Sequence, residues 1–94
     1  MIRSRVKIYE GAQNIELLVD TESDLSSTSV IQIHVLKPDG KEAIWPAVKH
    51  SDDGCISYLI QSDDLLIPGI YKIQAYIDGN LGETDCFQVY EKFS

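Results

Sequence analysis

The stretch Asp64-Leu65-Leu66-Ile67-Pro68-Gly69-Ile70-Tyr71-Lys72-Ile73-Gln74-Ala75-Tyr76-Ile77 decides how this chain folds. From Tyr71 onward, Tyr71, Ile73, Ala75 and Ile77 alternate with Lys72, Gln74 and Tyr76. That two-residue period is what a strand with one apolar face requires, because successive side chains leave it on opposite sides. Just before the run, Pro68 and Gly69 suit the central positions of a type II turn: proline presets the first φ and glycine supplies the positive second one.

The same alternation recurs on both sides of this stretch. Val6 and Ile8 open a first strand; Ile15, Leu17 and Val19 mark a second; Ile31, Ile33 and Val35 mark a third. A fourth covers residues 43–48 around Trp45. Ile56, Tyr58 and Ile60 give a fifth, the run from Tyr71 the sixth, and Phe87 with Val89 the seventh. β-Branched residues and tyrosines dominate these runs, and helical spacing fits none of them better. Pro38-Asp39-Gly40, Asp53-Gly54 and Asp78-Gly79-Asn80 fall between runs, where Gly and Asx residues tolerate the positive φ angles of tight hairpins. Residues 20–28 are polar and lack alternation, which predicts a longer connection. Pro46 has no N–H for a ladder and puts the fourth strand at a sheet edge. Seven short strands at intervals of about 8–14 residues predict one all-β domain over residues 1–94, an antiparallel sandwich.

The totals agree with a single domain. A chain of 94 residues buries roughly 60–65% of its unfolded surface, enough for one two-layer core. A hydrophobic fraction of 44% argues against disorder. No apolar run approaches the ~20 residues that span a bilayer, so no membrane insertion is expected. The opening residues, Met1 to Ile8, carry base but no apolar segment of a secretory signal, which predicts synthesis in a host cytoplasm without export by the secretory route. A formal charge of −7 repels phosphate backbones and speaks against nucleic acid as a partner. Arg3, Arg5 and Lys7 share one strand phase and read as a solvated face. Cys55 and Cys86 match no metal spacing and stand out of phase with the apolar positions of their strands, so they read as free thiols rather than a core disulfide.

No pattern carries catalytic or metal chemistry. Asp20, Glu22 and Asp24 imitate the start of a calcium loop, yet Leu25 stands where that loop needs glycine and Ile31 where it needs a bidentate glutamate. Asp52-Asp53 and Asp63-Asp64 are neighbours beside turns, not a preset acid and base, and read as solvated turn residues. His34 and His50 have no nucleophile motif near them. The expectation is a protein that is no enzyme and takes neither cofactor nor metal.

A turn ending in Gly69-x-Tyr71 at the start of a strand resembles the tyrosine corner of immunoglobulin-like folds, where the phenol bonds a backbone group a few residues upstream. Pro68, Gly69 and Tyr71 are then the residues that specify the fold, and Ile73 takes the place of the second cysteine of antibody domains. With that topology the third, sixth and seventh strands share a sheet. Its outward side would carry Gln32, His34 and Leu36; Lys72, Gln74 and Tyr76; and Cys86, Gln88 and Tyr90. Depleted charge and enriched tyrosine mark interface cores, so His34, Leu36, Tyr76, Gln88 and Tyr90 are the candidate contact residues. The opposite sheet would show Lys7, Glu16, Asp20, Ser57 and Gln61 to solvent.

Several strings together resemble a family of short immunoglobulin-like proteins of tailed bacteriophages and prophages. They are Ile8-Tyr9-x-Gly11, Lys37-Pro38-Asp39-Gly40 followed by Trp45, and Asp64-Leu65 leading to Gly69-x-Tyr71-Lys72-x-Gln74-Ala75-Tyr76. Gly82-Glu83-Thr84 and Phe87-x-Val89-Tyr90-Glu91 complete the set. The first module of phage baseplate upper proteins is similar. This resemblance implies a virion component, a tail, baseplate or head accessory protein that binds other virion chains or copies of itself. Baseplate proteins continue into longer regions, whereas this chain stops at Ser94, which implies a free-standing module. The competing expectation is a module for carbohydrate or host surface, with exposed Trp45, Tyr76 or Tyr90 stacking on sugars.

Overall fold

A computed structural model describes residues 7–50 and 54–93, and these form eight strands with no helix. The strands are β1 (Ile8–Tyr9), β2 (Glu16–Asp20), β3 (Ile31–Leu36), β4 (Glu42–Pro46), β5 (Val48–Lys49), β6 (Cys55–Leu59), β7 (Gly69–Ile77) and β8 (Asn80–Tyr90). One sheet has the order β1-β8-β7-β3-β4 and the other β2-β6-β5. The readings made at Arg3, Arg5, Val6, Asp52 and Asp53 lie outside the described residues.

Register explains the core. β3 and β7 pair antiparallel with Ile33 opposite Ala75 and Val35 opposite Ile73, while Trp45 of β4 lies opposite Ile33. Partners directly opposite point to the same side, so three strands deliver their apolar residues to one face. Leu17, Val19 and Ile56 come from the three-stranded sheet to meet them in one cluster. Ile33, Ile56, Ile60, Leu65 and Tyr71 are fully buried, and each such aliphatic side chain contributes about 1.5–3 kcal/mol. The result is a sandwich-like packing of two sheets.

Turn chemistry sets the hairpins. Asp78 and Gly79 both take positive φ, 47° and 93°, as a two-residue type I′ turn demands, and they join Ile77 to Asn80. Asp78 also holds the neighbouring loop, its Oδ1 accepting from the N–H groups of Ser29 and Val30. At the β3–β4 hairpin, Gly40 (φ 86°) donates to the Lys37 carbonyl at 2.9 Å.

Several expectations need correction. The strands number eight, not seven, because residues 43–48 split at Ala47. β4 ends at Pro46 on the edge of the five-stranded sheet, and β5 starts at Val48 in the other sheet. The pairing is not wholly antiparallel: Ile8 and Tyr9 run parallel to Val89 and Tyr90. The last strand begins at Asn80, well before Phe87, since its polar first half is held by backbone pairing to β7 across a bulge near Ala75. Pro68 and Gly69 do not form the turn. Residues 62–65 do, and Gly69 is the first residue of β7.

Gly69 is nevertheless demanded by its surroundings. Its φ is 134°, and a Cβ there would stand 2.7 Å from Pro38 Cβ. Two residues on, the Tyr71 hydroxyl donates to the Ile67 carbonyl at 2.7 Å, and its ring stacks on Phe87 with centroids 5.4 Å apart. That bond ties the segment entering β7 to the strand itself, linking local sequence to core packing.

Candidate interaction surface

The outward residues of β3, β7 and β8 share one face of the five-stranded sheet, and the register brings the candidates together in two groups. At the hairpin end, Tyr76 lies opposite Gln32 and Leu81. Its ring stacks on His34 with centroids 4.6 Å apart and planes 11° off parallel. His34 in turn lies opposite Ile44, and its Nε2 is 3.2 Å from Gln32 Oε1, to which it donates when protonated there. Leu36 stands further along β3, opposite Lys72 and Glu42.

The second group sits at the other end. Tyr90 lies opposite Tyr9, with ring centroids 6.2 Å apart, and the Lys7 ammonium is 4.5 Å from the Tyr90 centroid and 5.3 Å from that of Tyr9. Such cation–π contacts pin the rings to the sheet. Gln88 is exposed opposite Ile70. Tyr76 and Tyr90 therefore flank the face rather than adjoin. About seven residues of β7, roughly 23 Å at strand rise, separate their levels. Lys7 belongs to this face and not to the opposite sheet, because β1 joins β8.

Sequence reasoning missed the most exposed apolar residues here. Ile44 is 58% exposed and Leu81 53%, on either side of the Tyr76–His34 stack. The available signal at Ile44 was its phase, since it directly precedes Trp45; Leu81 carried none, because alternation back from Phe87 and Val89 puts it inward and only the irregular pairing between Gln74 and Tyr76 turns it outward, opposite Tyr76. Cys86 is exposed on the same face and Cys55 is buried, and neither is in a disulfide.

Other candidates fall elsewhere. Trp45 is not exposed: it is buried and stacks on Tyr58 at 4.9 Å, facing the core. Ser57 is buried rather than solvated, and Cys55 likewise, because β6 is the central strand of its sheet and flanking chains shade small side chains. Leu25, in the polar connection, is buried in the core. Asp64 is not merely solvated. Its Oδ2 accepts from the Tyr58 hydroxyl at 2.6 Å and from the Gln61 N–H at 2.7 Å. Burial, then the Asp64 hydrogen bond and charge, push the Tyr58 phenol well above its ordinary value. Burial raises Tyr71 as well. The Ser26 backbone N–H, donating to Asp24, lowers that carboxyl. His50 Nε2 lies 3.7 Å from Glu16 Oε1, beside the three-stranded sheet and apart from His34.

Among the described residues, no group of three or more His, Cys, Asp or Glu is arranged to hold a metal. No helix among them is long and apolar enough to cross a membrane. What the face offers is aromatic stacking, apolar area and amide hydrogen bonds. No protein-family model, curated protein or solved structure matches this chain.

Proposed function

We propose that this protein is a non-catalytic structural or assembly component of a phage particle, docking on neighbouring chains through the outward face of its five-stranded sheet. The observation that carries the docking role is the cluster of Ile44, Leu81 and Tyr76, apolar and uncharged, on a chain whose net charge is −7. Contiguous apolar surface rimmed by polar residues suits a protein partner. The particle setting rests on the strings Lys37-Pro38-Asp39-Gly40 and Gly69-x-Tyr71-Lys72-x-Gln74-Ala75-Tyr76 and on the resemblance they carry.

An immunoglobulin-like reading of the sandwich is part of the proposal. It is supported by β3, β7 and β8 standing in one sheet opposite β2, β6 and β5, and by the Tyr71 bond to Ile67. The sugar-binding alternative loses its tryptophan, since Trp45 is in the core.

Mass spectrometry of purified particles tests the setting: the chain should be present in stoichiometric amount. Tyr76→Ser with Tyr90→Ser should abolish incorporation while the circular-dichroism spectrum stays that of the parent. Particles that lack the chain, or that take up the double variant unchanged, would reject the reading.

A further inference from the structure

The register across β4, β3 and β7 sorts the outward side of the sheet into rows, and the rows carry charge in a self-complementary way. Glu42, Leu36 and Lys72 make one row; Ile44, His34 and Gln74 the next; Pro46, Gln32 and Tyr76 the third. Glu42, Leu36, Lys72, Ile44 and Pro46 are exposed, and the others are half-buried. Charge is confined to the first row, the acid on β4 and the base two strands away on β7, about 10 Å off at strand spacing. On a chain of net charge −7, one acid and one base balance here, so the patch escapes the self-repulsion of the rest.

A two-fold axis that lays a second copy on this face must apply one rule of contact in both directions. Strands of stacked sheets align within about 30°, so the axis runs either along the strands or across them. Across them at the first row, Glu42 and Lys72 would each meet their own kind. Across them at the middle row, Glu42 would lie over the partner's Pro46 and find no cation. An axis along β4 or β7 again sets like against like. One between strands sets Glu42 over the partner's Leu36 or Cys86. Only an axis along β3 puts Glu42 over the partner's Lys72 and Lys72 over the partner's Glu42.

Residues on such an axis meet themselves, and β3 tolerates that. Leu36 is apolar, while Gln32 and a neutral His34 each hold both a donor and an acceptor. On either side of the axis Tyr76 comes over the partner's Pro46, and Ile44, 58% exposed, over the partner's Gln74.

We propose that the partner of this face is a second copy of the chain, packed in a two-fold dimer whose axis follows β3; the proposal rests on the docking role argued above. Exposed ion pairs add little affinity and mainly fix orientation. Leu36, Ile44 and Tyr76 therefore supply the binding, and the two Glu42–Lys72 pairs select the register.

Sedimentation equilibrium of the full chain, at up to about 1 mM, reads the association. The parent should form dimers and nothing larger, because a two-fold contact closes on itself. Glu42→Lys and Lys72→Glu should each weaken the dimer about tenfold or more, since either one turns both pairs into like-charge contacts. Mixed together, the two variants should form a heterodimer with the parent's affinity, one chain bringing two cations and the other two anions. That recovery would also show both variants to be folded. A monomeric parent, an unchanged dimer constant in either variant, or no heterodimer on mixing would overturn the proposal. The particle assay reads the docking role separately. A monomeric chain that still enters particles through Tyr76 and Tyr90 removes the second copy and keeps the docking reading, whereas a dimer absent from particles upholds the pairing and rejects the setting.

Discussion

The Tyr58 hydroxyl donates to the Asp64 carboxylate at 2.6 Å, binding β6 to the turn at residues 62–65. A phenol that is partly buried and donates to a carboxylate resists ionisation, because the phenolate would lose the bond and face a like charge. The folded chain therefore keeps this proton when the unfolded chain, with an ordinary value of about 10, has lost it. Stability is full below about pH 10 and falls as pH rises through the folded value. Denaturant midpoints measured on both sides of about pH 10 should show that fall. Tyr58→Phe should make it shallower, at a cost of about 1 kcal/mol at neutral pH for the lost hydrogen bond.

Gly69 and Gly40 both have positive φ, but only Gly69 meets a wall. A Cβ at Gly69 would press on Pro38 Cβ and Cγ at 2.7 and 2.8 Å, whereas one at Gly40 would find nothing within 4 Å. Gly69→Ala should cost about 2 kcal/mol or more from clash and strain together. Gly40→Ala should cost about 1 kcal/mol, the backbone share alone. Urea denaturation of the two variants compares them directly, and equal losses would mean that the Pro38 contact is immaterial.

Leu25 turns a polar connection into part of the core. It is only 4% exposed, although its neighbours Asp24 and Ser26 face solvent. Leu25→Ala should destabilise the chain by about 2–4 kcal/mol, as core truncations do. Leu66→Ala, at a side chain 59% exposed, should stay within about 0.5 kcal/mol of the parent. Thermal or denaturant unfolding of both variants checks the contrast.

The two thiols should separate by accessibility. Cys86 is exposed on the outer face and Cys55 is 1% exposed. A maleimide reagent should label one thiol in the native chain and two after denaturation, with peptide mapping placing the first label on Cys86. Native labelling of Cys55 would contradict its burial.

Much of the fold was legible because alternation is a local property. Tyr71, Ile73, Ala75 and Ile77 announce their strand, and Pro46 announces an edge, from chemistry contained in a few adjacent residues. The first half of β8 was not legible. Glu83, Thr84 and Asp85 bury little, and they are extended because β7 lies alongside. The division of residues 43–48 was equally silent, since a strand that changes sheets keeps its extended backbone and its composition. Of the candidate surface, the outward phase of His34 and Tyr76 could be read in advance. Their stacking, the Lys7 contact and the exposure of Leu81 depend on which strands became neighbours and in what register.

By itself the sequence determined that the described chain is built from strands, where its hairpins turn, and which side chains on most strands leave water. Those outcomes follow from side-chain period and from the φ angles that Gly, Pro and Asx residues allow. Only the tertiary structure decided that β1 runs parallel to β8, that Trp45 and Ser57 are hidden, and that an acid-lipped cleft opens at the β7–β8 hairpin end. Each of these depends on contacts between segments far apart in the chain, and such contacts leave no periodic mark on the residues that make them.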